Sequence, residues 1–128
     1  MLAKTYSAAV VGLDAYPVEV EVNVSGRGQM NVVTIVGLPD AAVRESRDRV
    51  WSALASSGYA LPDGATVINL APADLKKEGA AFDLPIALVV LAASGLMKSE
   101  KLAKTAIIGE LALNSTVRPI RGVLPIVL

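Results

Sequence analysis

The chain has 128 residues, with 12 Lys and Arg against 12 Asp and Glu, no His, no Cys and a mean hydropathy of +0.53. That length fits one domain, residues 1–128, able to bury a core without cross-links, and the missing residue types exclude disulfides, thiolate chemistry, zinc ribbons and an imidazole general base. A net charge of zero speaks against a self-sufficient nucleic-acid binder, which normally carries a basic excess.

Lys4 precedes a short apolar stretch that Asp14, Glu19 and Glu21 cut off, so no signal-peptide core develops. Residues 5–12 predict a first strand. Residues 16–25 alternate strictly, Val18, Val20, Val22 and Val24 against Glu19, Glu21, Asn23 and Ser25, the pattern of a strand with one wet face. Gly26-Arg27-Gly28-Gln29 reads as a hairpin turn, because glycine supplies positive φ, and residues 30–36 as the return strand. Gly37-Leu38-Pro39-Asp40 then opens a helix with Asp40 as its N-cap. Val43, Val50 and Leu54 form its buried stripe and Gly58 stops it. Opposite charges four residues apart (Asp40–Arg44, Arg44–Asp48 and Glu45–Arg49) predict ion pairs on its outer face, each contributing about 0.2–0.5 kcal/mol.

Residues 66–70 predict a further strand, and 71–81 a polar loop. Asp83 reads as the N-cap of a second helix with Pro85 in its first turn, where the missing N–H costs nothing; an alternative role for Asp83 is to order the loop at residues 76–79. Residues 84–93 are apolar on every side, which places this helix in the middle of the domain. The run is about half the ~20 residues of a membrane helix, so a cytoplasmic protein is expected. Gly95 ends it. Residues 106–113 and 116–120 predict a second hairpin around Asn114-Ser115, and a third helix is expected near Gly122. The order βββ-α-β-α-ββ-(α) is that of an α+β fold, helices packed on a mixed sheet. The final octet, RGVLPIVL, has one charge and no polar tail, which predicts a chain cut from a longer protein.

The residues offer little for catalysis. No G-x-x-x-x-G-K-[ST] string occurs, so nucleotide is not expected to bind here. A metal would find only carboxylates here; Asp74, Glu78 and Asp83 are close in sequence, but Lys76 and Lys77 lie among them and no calcium-loop spacing matches; no metal and no cofactor is expected in this domain. Ser94 and Lys98 sit four apart, but Gly95 breaks the helix between them. Arg44 and Arg49 have acidic neighbours and read as a self-neutralised, solvated face. Arg47 has none at four residues' distance and lies about 40° from the apolar stripe, beside Trp51. Its guanidinium either snorkels from the core edge or, with Trp51, contacts a subunit or nucleic acid. Lys76 and Lys77 read as an exposed loop or as a weak phosphate contact.

Three segments carry a family resemblance: VGLPDAAVRESRDRVWSAL (36–54), INLAPADLKKEGAAFDLPIAL (68–88) and GELALNSTVRPIRGVLP (109–125). Together they resemble the N-terminal domain of the magnesium-chelatase-like AAA+ ATPases, the YifB and competence protein ComM group. The resemblance implies a ribosomal protein S5 domain 2-like fold in the version shared with the Lon proteolytic domain. It also implies a P-loop AAA+ module after this domain, absent from these residues and holding ATP and Mg. A homo-hexameric ring is implied as well, with single-stranded or branched DNA as a partner in the branch migration of natural transformation. A ring would multiply weak contacts by avidity. Aligning Lon's GPSAGIA segment by its Ile-Ala pair puts the nucleophile's position at Asp83, and the PIRG string puts the Lys position at Leu124. A carboxylate and an aliphatic chain form no Ser–Lys dyad. The expectation is a non-catalytic accessory domain that assists ring assembly or engages DNA or a partner; its rivals are a peptidase with a displaced site and a module that binds only protein.

Overall fold

The alternating segment becomes strand β2 (Asp14–Val24), whose Val18, Val20 and Val22 have no exposed surface. The computed structural model describes residues 1–25 and 32–120. Strand β1 (Leu2–Val11) runs antiparallel to β2 through the turn at Gly12. Strand β3 (Val32–Val36) does not return along β2 as the hairpin reading expected. Strand β4 (Ala65–Ala71) lies between them, antiparallel to β2 and parallel to β3, giving the order β1-β2-β4-β3. The reason is visible in the register. Ala3, Val22, Ile68 and Ile35 form one row across all four strands. Inserting β4 thus places Ile68 and Leu70, both fully buried, at the centre of the apolar face. The expected turn at residues 26–29 and the third helix near Gly122 lie outside the described residues.

The chain crosses from β3 to β4 through two helices rather than one, α1 (Ala41–Arg44) and α2 (Ser46–Ser56), with Glu45 between them. Asp40 caps α1 as expected, its carboxylate accepting the Val43 N–H at 2.7 Å. Val43, Val50 and Leu54 are buried, joined by Ser46 and Ala53. Of the three expected ion pairs only Glu45–Arg49 forms, at 3.3 Å. Asp40 is occupied by backbone amides, and Asp48 meets its neighbour Arg47 instead.

Helix α3 (Asp83–Ala93) is buried along nearly its whole length, lying over β1 and β2 and beside α2. The inward residues of β1 (Ala3, Thr5, Ser7 and Ala9) are small and buried, which lets the helix approach the sheet closely. Asp83 is not its cap. The N-cap position is Phe82, which makes no side-chain cap bond, and the Leu84 N–H is satisfied by the Gly109 carbonyl at 2.9 Å. A backbone acceptor therefore does part of the work expected of Asp83 and frees its carboxylate to turn inward. Beyond α3, a 3₁₀ turn at Leu102–Lys104 leads to residues that bond to Tyr6 on the outer edge of β1. Strands β5 (Glu110–Leu111) and β6 (Val117–Arg118) form the second hairpin, shorter than predicted. Among the described residues no helix is long and apolar enough to cross a membrane.

Gly37 closes β3 at φ +107°, and a Cβ there would lie 2.0 Å from the Leu70 carbonyl oxygen. Gly37→Ala is expected to lose roughly 1–3 kcal/mol from backbone strain alone, and more from that overlap. Urea denaturation should show the midpoint fall accordingly.

Candidate functional site

A buried polar cluster is built on Asp83, which has no exposed surface. One carboxylate oxygen accepts the Ser46 hydroxyl at 2.6 Å and Arg49 Nη2 at 3.1 Å. The other accepts Arg49 Nε at 2.6 Å and the Leu111 N–H at 3.1 Å. Arg49 thus grips the carboxylate with two parallel bonds, the geometry its planar fork favours. Its remaining donors reach the Ala42 carbonyl at 2.8 Å and Glu45 at 3.3 Å. The hydrogen bonds to Asp83 push the guanidinium's pKa above its ordinary value, outweighing the opposing effect of burial. The expected solvated face is therefore corrected at Arg49, whose side chain is only 18% exposed. Four donors occupy the two Asp83 oxygens, so the carboxylate is closed to a substrate. The cluster ties α2, α3 and β5 together.

Asp40, rather than Asp83, orders the loop before α3. Besides capping α1, its carboxylate accepts the Gly79 N–H at 3.2 Å, and its own N–H donates to the Lys77 carbonyl at 2.9 Å. Lys77 is fully buried, and its ammonium donates to the Pro72 carbonyl. Burial lowers its pKa, with nearby Asp74 opposing the shift. The expected phosphate contact at Lys77 is thereby corrected, because a side chain with no exposed surface cannot reach a partner. Lys76 is exposed and stands 3.6 Å from Glu78. Asp74, Glu78 and Asp83 do not converge, and among the described residues no group of three or more His, Cys, Asp or Glu side chains is placed to hold a metal. Lys98 is exposed, while the Ser94 hydroxyl is buried with no hydrogen-bond partner among the described residues, so the two form no dyad. Leu124 lies outside the described residues.

Arg47 and Trp51 do come together. Arg47 is 54% exposed, with Nε 3.7 Å from Asp48. With Val33, Asp48 and Trp51 it walls a hollow of about 260 Å³. A neighbouring hollow of about 310 Å³, sharing Val33 and Arg47, is lined further by Thr34, Ile35 and Arg44. Lys76 lines neither.

The sequence reading missed the Ser46–Arg49–Asp83 cluster and the part played by β3. A signal for the first was present. Ser46 and Ala53 stand seven apart on α2, and counting these small residues as core turns the buried face toward Arg49. A lone carboxylate heading an all-apolar helix also calls for a cation.

Residues 20–128 match the family described as subunit ChlI of Mg-chelatase. The chain is 46% identical to YifB of Escherichia coli (strain K12) over 121 residues, 94% of this chain and 24% of that protein. It is 44% identical to competence protein ComM of Haemophilus influenzae over 127 residues, 99% of this chain and 25% of that protein. The chain thus spans about a quarter of the length of the curated relatives it matches.

Lys77 supplies a pH test. Between its lowered native pKa and the ordinary value of 10.5, the unfolded chain holds the proton more tightly than the folded one. Stability contributed by Lys77 therefore rises with pH through that window and is lost as pH falls back through the native pKa. The stability difference between the wild type and Lys77→Met, followed by urea denaturation, should move in the wild type's favour from neutral pH toward 10.5. A difference that stays flat would contradict the buried placement.

Proposed function

The chain belongs to the family of subunit ChlI of Mg-chelatase, and from that membership we propose that it is a non-catalytic accessory domain of a magnesium-chelatase-like AAA+ ATPase. In this reading the sheet and its two main helices are arranged as in the ribosomal protein S5 domain 2-like fold, in the Lon version. The order of strands and helices in the chain, βββ-α-α-β-α-ββ, is compatible with it. ATP and Mg belong to the module that occupies the remaining length of the longer relatives, and the domain serves a hexameric ring by assisting its assembly or engaging what the ring acts on.

The observation that carries the non-catalytic part is Asp83. The resemblance to Lon puts a nucleophile at this position, and here it is a buried carboxylate bound by Ser46, Arg49 and the Leu111 amide. A general acid, base or nucleophile must reach its substrate, and this group does not. For the partner, we favour protein over DNA. Of the four residues expected to contact DNA, Lys77 is buried and Lys76 stands beside Glu78, which leaves Arg47 and Trp51 on a chain of zero net charge.

Two measurements test the proposal. The 128-residue chain should release no peptide from casein or a fluorogenic substrate, and turnover abolished by Asp83→Asn would overturn the non-catalytic reading. Removing these residues from the full-length protein should shift its hexamer toward smaller species in light scattering, or abolish partner capture by an intact ring. A ring unchanged in both respects would refute the accessory role.

A further inference from the structure

Strand β3 ends the main sheet, with β4 its one strand neighbour among the described residues. Val32 donates its N–H to the Gly64 carbonyl on the β4 side, at 3.1 Å. In a parallel ladder the bonding residues alternate, so Val33 and Ile35 turn their N–H and C=O groups away from β4. Among the described residues no other segment pairs with that edge. Edge strands are usually blunted by charge, proline or a covering element, yet β3 reads Val-Val-Thr-Ile-Val and carries none of the first two.

The edge also has a side wall. The two adjoining hollows described above run beside β3, with Val33, Thr34 and Ile35 on one side and α1 and α2 on the other. Arg44 stands at the Ile35 end, Trp51 and Asp48 at the Val33 end, and Arg47 lines both hollows between them. Arg44 has no acidic partner within 4.0 Å among the described residues, and Arg47 has only its exposed neighbour Asp48. A strand edge, a helix flank and a cationic end are the three parts of a strand-addition peptide site: main-chain bonds supply affinity, and the pockets alternate along the added strand to supply specificity.

We propose that the groove between β3 and the α1–α2 face binds an extended peptide of a protein partner as a fifth strand, with an acidic side chain facing Arg44 and Arg47 and an apolar side chain two residues away against Trp51. The spacing follows from strand geometry, which returns every second side chain to the same face. Charge selects the occupant. A second copy of this chain would bring its own β3, uncharged, with two more arginines beside it, whereas an acidic peptide meets the unpaired guanidinium of Arg44. The proposal rests on the accessory reading only in taking the domain to engage a protein, and a failed binding experiment would leave the peptidase and ring measurements standing.

The probe is the fluorescein-labelled peptide Ser-Thr-Glu-Thr-Leu-Thr-Ser, titrated with the 128-residue chain by anisotropy and mapped by amide chemical shifts. The expected result is saturable binding with the largest shifts at Val33 and Ile35 and quenching or shift of Trp51 fluorescence. Replacing Glu by Lys in the peptide should weaken binding about tenfold or more, the worth of a charge-assisted hydrogen bond. Arg44→Ala with Arg47→Ala should do the same while leaving the urea midpoint unchanged. A peptide N-methylated at the residues that bond to β3 should not bind, and this control needs no protein variant. The proposal is overturned by absence of saturable binding, by shifts that map to another face, or by binding indifferent to both the arginines and N-methylation. It is also overturned if the chain dimerises through β3, or if single-stranded DNA, and not the peptide, shifts the Val33 and Ile35 amides.

Discussion

The Asp83–Arg49 pair is the constraint on which the rest of the structure depends. It joins residues 34 apart in sequence and closes through Ser46 and the Leu111 amide, so that α2, α3 and β5 meet at one carboxylate. A buried ion pair is not in itself a large source of stability, because desolvation of both charges offsets much of their attraction. Its consequence is specificity of arrangement. Once formed, the pair can be removed as a unit at modest cost, but neither partner can be lost alone without stranding an uncompensated group inside the protein. Helix α3 is apolar on all sides and could be rotated about its axis with little change in burial; the bidentate grip on Asp83 selects one rotation. Ser46 supports it, a small buried residue where a larger one would hold α2 and α3 apart.

The same logic runs through the loop between β4 and α3. Asp40 caps α1 and holds the Gly79 amide, and Lys77 turns its ammonium inward to the Pro72 carbonyl. Polar groups that look in the sequence like an exposed, partner-seeking loop are spent on the loop's own order. Arg44 and Arg47, by contrast, stand in solvent, and among the described residues nothing pairs with the outward amides of β3. At Asp83 the carboxylate is closed by four donors, whereas the far side of β3 has no partner among the described residues.

Much of this was legible in the residues, and the divide follows the range of the interaction. Local patterns read correctly: the Val18–Val24 alternation, the Asp40 cap, the glycine stops at Gly58 and Gly95, and the burial of residues 84–93. Each depends on neighbours within a few positions. A few local details misread, such as the break at Glu45 and the unformed Arg44–Asp48 pair, but the errors that change the architecture concern distant partners. The glycine-rich sequence after β2 suits a hairpin as well as a strand that leaves the neighbourhood, and only the need to centre Ile68 and Leu70 places β4 beside β2. Asp83 at the head of a helix suits a cap, until the Gly109 carbonyl takes the Leu84 amide from the far side. Lys77 between Lys76 and Glu78 suits an exposed turn, because nothing adjacent reports the Pro72 carbonyl folded over it. The family strings VRESRDR and FDLP hold both halves of the buried pair, but no spacing rule connects them.

The central claim is that Asp83 is a structural partner of Arg49 and not a reacting group, and a double-mutant cycle tests it most directly. Urea denaturation would be measured for the wild type, Arg49→Met, Asp83→Leu and the double variant. The account predicts that Arg49→Met alone, which strands a buried carboxylate, costs about 3–5 kcal/mol. The double variant should recover a large share of that loss. Strictly additive effects of the two substitutions would contradict it, since they would mean that Asp83 and Arg49 do not act on each other at all.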